Sequence, residues 1–294
     1  MTGTLVTGSN GQLGNELRAI ENKLPGTVYY TDVEELDICQ KESVIQFIKK
    51  NNIDLIINCA AYTAVDKAED EPAAAYQLNA EAPGFLAEAA RENNALLLHI
   101  STDYVFNGKG PKPYKESDIT APVSVYGKTK LAGEKAIENS GCRYLILRTS
   151  WLYSIYGNNF VKTIVRLAKE KKELKVVFDQ TGTPTFAADL ALAISEISAH
   201  KDELFYIKNA ENHIYNFSNE GVCSWYDFAV EIIKFTSNTL PIHPVRSEEF
   251  PSKAARPAFS VLDKTLIKKV YGINIPHWRD SLEKCMKIIL QTRL

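Results

Sequence analysis

Short apolar runs alternate with helical periodicities through the first half of the chain. Thr4–Thr7, Val28–Thr31, Asp54–Ala61, Leu96–Ile100 and Tyr144–Leu147 are largely continuous runs of strand-forming residues. A strand with one wet face alternates apolar and polar side chains, whereas a continuous run is expected of a parallel strand covered on both faces. Between these runs, Gln12–Ile20, Ser43–Lys50 and Ala73–Glu92 read as helices. Val44, Phe47 and Ile48, for example, fall three and four apart on one helix face. Strands alternating with helices predict βαβ units and a Rossmann-type, doubly wound parallel sheet.

After about residue 150 the alternation becomes irregular. Val176–Phe178 and Phe205–Ile207 read as strands. Ser224, with Asp227 three positions on, predicts a capped helix with Trp225, Phe228, Ala229, Ile232 and Ile233 on its apolar side. The segment 240–259 is rich in proline and charge and reads as loop. Trp278–Leu294 is a closing amphipathic helix. The predicted division is a Rossmann domain of residues 1–150 plus roughly 172–205, and a smaller C-terminal α/β substrate lobe of roughly 151–171 and 206–294.

Composition narrows the class without changing this picture. The 294 residues suit one large or two moderate domains, with 45% hydrophobic and 24% charged residues. The net charge of −2 lacks the clustered basic excess of a nucleic-acid binder. Cysteines at 39, 59, 142, 223 and 285 form no C-x-x-C pair, which argues against a disulfide framework or a zinc site and for a reducing compartment. No basic-then-apolar leader and no apolar run of bilayer length is visible, so neither membrane nor nucleic acid is expected as a partner and the expected location is cytoplasmic.

Two patterns carry chemistry. Gly8-Ser-Asn-Gly11-Gln-Leu-Gly14 follows the first strand and opens the first helix, and Asp32 ends the second strand. Glycines there permit a tight turn and close approach of a pyrophosphate, which the helix N-terminus then attracts. Asp32 stands where a ribose hydroxyl is bound. The second pattern is Tyr126-Gly-Lys-Thr-Lys130. Its Gly-Lys-Thr resembles the tail of a phosphate loop, but that motif needs glycine at 122, and Pro122 stands there. What remains is a tyrosine and a lysine four apart on one helix face, behind an N-cap expected at Ser124. An ammonium beside a phenol lowers its pKa and equips it to give a proton to a carbonyl oxygen. The fourth strand ends in Ser101-Thr102-Asp103, at the edge where parallel sheets bind ligands. Alternation turns only one of the two hydroxyls into the site, and Thr102 is the expected one.

Together with Asn58–Glu69, Arg148–Tyr153 and Asp179–Thr185, these blocks resemble the dTDP-4-dehydrorhamnose reductases, a family of extended short-chain dehydrogenases/reductases. The resemblance runs in order from residue 4 to about 260. It implies hydride transfer from NADPH or NADH to the C4 ketone of dTDP-6-deoxy-L-lyxo-4-hexulose, giving dTDP-L-rhamnose. By the family's pattern Tyr126 is the acid, Lys130 tunes it and Thr102 holds the substrate oxygen. Gly11, Gln12 and Leu13 then lie along the pyrophosphate, in a cofactor-binding loop that includes Gly8, Asn10 and Gly14. Asp32, Asp37, Ile38, Ala60, Ala61, Tyr62 and Thr63 complete the cofactor cleft. Asp103, Tyr104 and Trp151 join Thr102 and Tyr126 around the dTDP-sugar.

Three points stay open at this level. Asp32, with no arginine after it, suits the free 2′-hydroxyl of NADH, while the family is described with NADPH and some members accept both. The family is often described as magnesium-dependent, and some relatives dimerise through an ion held by glutamates. Only Glu16 matches that set, Asp189 is the nearest substitute, and no metal ligand is assigned; a homodimer is one admissible assembly. The alternatives are another nucleotide-sugar reductase or epimerase of the same class, or a non-catalytic dinucleotide-binding regulatory subunit. A dehydratase is disfavoured, because Tyr104 stands where those enzymes carry a glutamate.

Overall fold

The computed structural model describes residues 2–201, 213–236 and 240–291. The expected strand Phe205–Ile207 and the last three residues of the closing helix lie outside them. In the first half, β1 (Gly3–Thr7), α1 (Gln12–Ala19), β2 (Thr27–Thr31), α2 (Lys41–Lys50) and β3 (Ile53–Asn58) follow the alternation read from the sequence. They are followed by α3 (Val65–Ala68), α4 (Pro72–Tyr76), α5 (Ala82–Glu92), β4 (Leu96–Thr102), α6 (Val125–Glu138) and β5 (Arg143–Thr149). The second half adds β6 (Leu152–Tyr153), α7 (Phe160–Glu170), β7 (Leu174–Val177), β8 (Thr181–Gly182), β9 (Thr185–Phe186) and α8 (Ala187–Ala199). The chain ends with β10 (Ile214–Asn216), β11 (Cys223–Ser224), α9 (Trp225–Lys234), β12 (Ile242–Val245), α10 (Thr265–Tyr271) and α11 (Trp278–Gln291).

The main sheet is parallel throughout, with strand order β2-β1-β3-β4-β5-β10. Its strands are apolar on both sides because both sides are covered. Val6, Leu55, Ile57, Leu98 and Leu147 meet α1, α8 and the segment around α10. Leu5, Ile56, Leu97 and Ile146 meet α2 and α5 on the other face. The order reverses between β1 and β3, and the crevice at their carboxyl ends is where such sheets bind ligands.

The helix expected as one piece over 73–92 is interrupted. Gln77–Glu81 widens into a π turn between α4 and α5. Pro83, near the start of α5, has no N–H to offer the carbonyl of Asn79. The buried Asn79 side chain instead accepts from the Tyr62 backbone N–H and donates to Thr129. At Gly133 of α6 a Cβ would stand 2.1 Å from the Asn79 carbonyl oxygen, so the two helices touch backbone to backbone.

The second lobe has its own core, built on Val161, Ile164, Phe228, Ile232, Trp278 and Leu282. Ser224 caps α9 in a full capping box with Asp227, as its sequence predicts. Segment membership differs from the expected ranges at two strands. β7 lies with the second lobe, pairing with β12, because Leu174 and Val176 bury against α9. β10 extends the main sheet beside β5, with Tyr215 in the first core. α8 packs on the main sheet through Leu190, Ile194 and Ile197. Among the described residues no helix is long and apolar enough to cross a membrane.

Candidate active site

A cavity of about 870 Å³ opens along the carboxyl ends of β1, β3 and β4 and runs to the second lobe. Gly8, Gly11, Gln12, Leu13, Asp32, Asp37 and Ile38 line one end. Ala60, Ala61, Thr63, Lys130 and Tyr126 line the middle, and Thr102, Asp103, Tyr104, Trp151 and Trp225 the other end.

The glycine loop is shaped for close approach. Gly8 has φ +63°, and a Cβ there would stand 2.7 Å from the Ala60 backbone. Gly14 packs the first turn of α1 against Ser9, where a Cβ would meet Cα at 2.5 Å. Gly11 caps α1 with no side-chain hydrogen bond, leaving the helix N-terminus facing the cavity. Asp32 Oδ2 accepts from the Asn10 backbone N–H at 3.0 Å, so this carboxylate also holds the loop. Asn10 and Gly14 shape the loop without lining the cavity. Tyr62 is likewise off the wall, with its hydroxyl donated to Glu71 at 2.7 Å. The tight loop, the open helix end and the length of the cavity fit a dinucleotide.

At the other end Ser101 and Thr102 separate as strand alternation demands. Ser101 donates to Glu134 beneath α6, at 2.5 Å. Thr102 accepts from the Tyr104 backbone N–H and donates to Asp103 Oδ1 at 3.0 Å. It also lies close enough to the Tyr126 phenol to favour ionisation. Ser124 caps α6 through the Gly127 N–H, and Tyr104 meets Tyr126 edge-on, ring centroids 5.4 Å apart.

The expected electrostatics of the pair need correction. Burial, not an ammonium, dominates Tyr126 and pushes its phenol up, with Thr102 the largest opposing influence. Lys130 is buried at 1% exposure. Its Nζ donates to the Ile100 carbonyl at 2.7 Å and contacts His99 Nε2 at 3.2 Å. Burial pulls its pKa down to about 8. Asp103 is pushed up to about 7, again by burial first, so its carboxyl is neutral through the mildly acid range.

Trp151 stands at φ +47°, a rare conformation for a bulky residue. Its ring packs over Gly182, where a Cβ would stand 2.7 Å away, and stacks on Trp225 with centroids 3.6 Å apart. Trp225 is a wall residue that sequence reading assigns only to a helix's apolar side. Nothing in its local pattern signals that it reaches Trp151.

Glu16 and Asp189 are each hydrogen-bonded within the protein. Glu16 accepts from Ser154 at 2.6 Å and is raised by burial. Asp189 accepts from Asn219 and Ser281. One oxygen of each carboxylate takes a hydroxyl or amide proton. Among the described residues no group of three or more His, Cys, Asp or Glu side chains could hold an ion.

A Rossmann sheet with a glycine turn under its first helix, and threonine, tyrosine and lysine gathered beyond its fourth strand, defines the short-chain dehydrogenase/reductase class. Within it, the family model of the RmlD substrate binding domain matches residues 1–291. A dTDP-4-dehydrorhamnose reductase of Aggregatibacter actinomycetemcomitans is 40% identical over 290 residues, covering 96% of this chain and 98% of its own. The crystal structure of a dTDP-4-dehydrorhamnose reductase from Clostridium acetobutylicum superposes with a TM-score of 0.92 at 41% identity, covering 98% of this chain and 99% of that one. One from Bacillus anthracis, in complex with NADP, gives 0.90 at 39% identity, covering 97% and 99%. The chain belongs to the family of the dTDP-4-dehydrorhamnose reductases.

Proposed function

We propose that the protein reduces the C4 ketone of dTDP-6-deoxy-L-lyxo-4-hexulose to dTDP-L-rhamnose, the last step in making that nucleotide sugar. The observation that carries this reading is the meeting of Thr102, Tyr126 and Lys130 at one cavity with the glycine loop. The bound NADPH or NADH supplies the hydride that reaches C4. Gly8, Gly11, Gln12 and Leu13 bind its pyrophosphate through backbone N–H groups and the dipole of α1. Tyr126 gives its phenolic proton to the C4 oxygen as the carbonyl becomes an alkoxide. Thr102 holds that oxygen, and Lys130 supplies positive charge behind the phenol. Asp103, neutral through the mildly acid range, can donate or accept at a sugar hydroxyl. Trp151 and Trp225 form an apolar wall for the deoxysugar.

A cytoplasmic biosynthetic role and a homodimer complete the reading. The test is direct. Purified protein with NADPH or NADH and the 4-keto sugar nucleotide should lose the absorbance of the reduced nicotinamide and form dTDP-L-rhamnose. Cofactor binding without oxidation by that sugar would overturn the reading and leave a dinucleotide-binding module.

A further inference from the structure

The turn after β2 walls the cofactor end of the cavity, and it holds its own donors closely. The Glu35 and Leu36 backbone N–H groups donate to the Asp32 carbonyl at 3.1 and 2.8 Å. Leu36 is buried with Val44 and Ile48 of α2, which anchors the turn. Three further backbone N–H groups are given to its carboxylates. Asn10 donates to Asp32 Oδ2 at 3.0 Å, Val33 to Asp32 Oδ1 at 2.9 Å, and Asp32 itself to Glu35 Oε2 at 2.8 Å.

NADH and NADPH differ only at the adenine ribose, which carries a free 2′-hydroxyl in the first and a 2′-phosphate in the second. A ribose hydroxyl can donate to Asp32, because each carboxylate oxygen has a second lone pair beyond the N–H it accepts. A phosphate monoester carries about −1.5 to −2 charges near neutral pH and presents strong acceptor oxygens. At this turn it meets Asp32, Glu34 and Glu35, three carboxylates within four residues. Among the described residues no lysine or arginine pairs with any of them. Val33, 66% exposed on the cavity wall, brings no charge. The cations of the adjoining helices are engaged elsewhere. Arg18 of α1 donates to Ser9 at 3.2 Å and lies over the Tyr30 ring, and Lys41 at the start of α2 pairs with Glu88.

We propose that this turn selects NADH over NADPH, with Glu35 a specificity-determining residue beside Asp32. Asp32 takes the ribose hydroxyl. Glu35 adds a second charge and occupies the Asp32 N–H, so a 2′-phosphate finds neither a cation nor that donor. The fold does not make the choice, since the Bacillus anthracis relative that superposes on this chain was solved with NADP. The side chains of the turn make it. The inference rests on the proposed function for the dinucleotide and not for the sugar.

The test is a pair of binding titrations, NADH and NADPH, followed by nicotinamide fluorescence with no sugar nucleotide present. Wild type should bind NADH at least about tenfold more tightly at about 0.1 M salt. The gap should narrow several-fold at about 1 M salt, because the screening length falls from about 10 Å to about 3 Å. Glu35→Gln keeps an acceptor for the Asp32 N–H and removes the charge, and should lower the preference about threefold. Glu35→Lys reverses the charge and should lower it about tenfold. A wild type that binds NADPH as tightly as NADH overturns the proposal, as does a ratio that neither salt nor either variant moves. Should both variants fail to fold, the wild-type ratio and its salt dependence decide. The two readings fail separately. Selective NADH binding without reduction of the sugar sinks only the reductase reading, and turnover with tighter NADPH binding sinks only this one.

Discussion

The two ends of the cleft are built in opposite ways. The cofactor end comes almost entirely from β1, α1 and β2, in which strand, glycine turn and acidic strand end follow one another along the chain. The substrate end draws Thr102 and Asp103 from β4, Tyr126 from α6, Trp151 from the turn after β5 and Trp225 from α9. The first is a local solution to binding a pyrophosphate, and its residues constrain one another through backbone geometry. The second is an assembly held by two cores, and its chemistry is set by what those cores exclude.

Damage to the assembled end should therefore fall on the chemical step, and damage to the local end on binding. Tyr126→Phe removes the proton donor, and kcat should fall about 10²–10⁴-fold with cofactor affinity nearly unchanged, as pre-steady-state turnover and cofactor titration will report. Gly8→Ala forces a Cβ into the Ala60 backbone at positive φ. Dinucleotide affinity, read by quenching of tryptophan fluorescence, should drop about a hundredfold, and the strain should cost about 1–3 kcal/mol of stability.

The third test uses Asp103. Its folded pKa is raised to about 7 from 3.8, so the folded state holds a proton that the unfolded state has released between those values. Its contribution is thus greatest in acid and is lost as pH rises through that window, at about 1.4 kcal/mol per unit. Denaturant melts should show wild type losing stability relative to Asp103→Asn from about pH 4 to about pH 7, then running parallel above. Trp225→Ala takes away the ring that stacks on Trp151. KM for the sugar nucleotide should rise about tenfold while cofactor affinity holds, separating the two ends by steady-state kinetics. Lys128 is exposed on the far side of α6, and Lys128→Ala should change kcat/KM and stability by less than about 0.5 kcal/mol.

The linear pattern alone determined the parallel sheet, the glycine turn, the acidic end of the second strand at Asp32, and the capped helices at Ser124 and Ser224. Each depends on neighbours within a few residues, or on a strand's alternation, so periodicity and turn chemistry reveal it. The tertiary structure decided the rest. It moved β7 to the second lobe and β10 into the main sheet, since short strands join whichever face buries them. It broke the helix at Asn79, where α6 comes into backbone contact. It turned Tyr62 towards Glu71 and brought Trp225 onto Trp151. It also reversed the expected sign at Tyr126. Residues four apart on a helix reveal that a lysine is near a tyrosine, but not that burial governs both groups, nor that His99 from β4 reaches the lysine first. Desolvation and hydrogen-bond direction depend on every element packed around a group, and those elements meet only when the chain is folded.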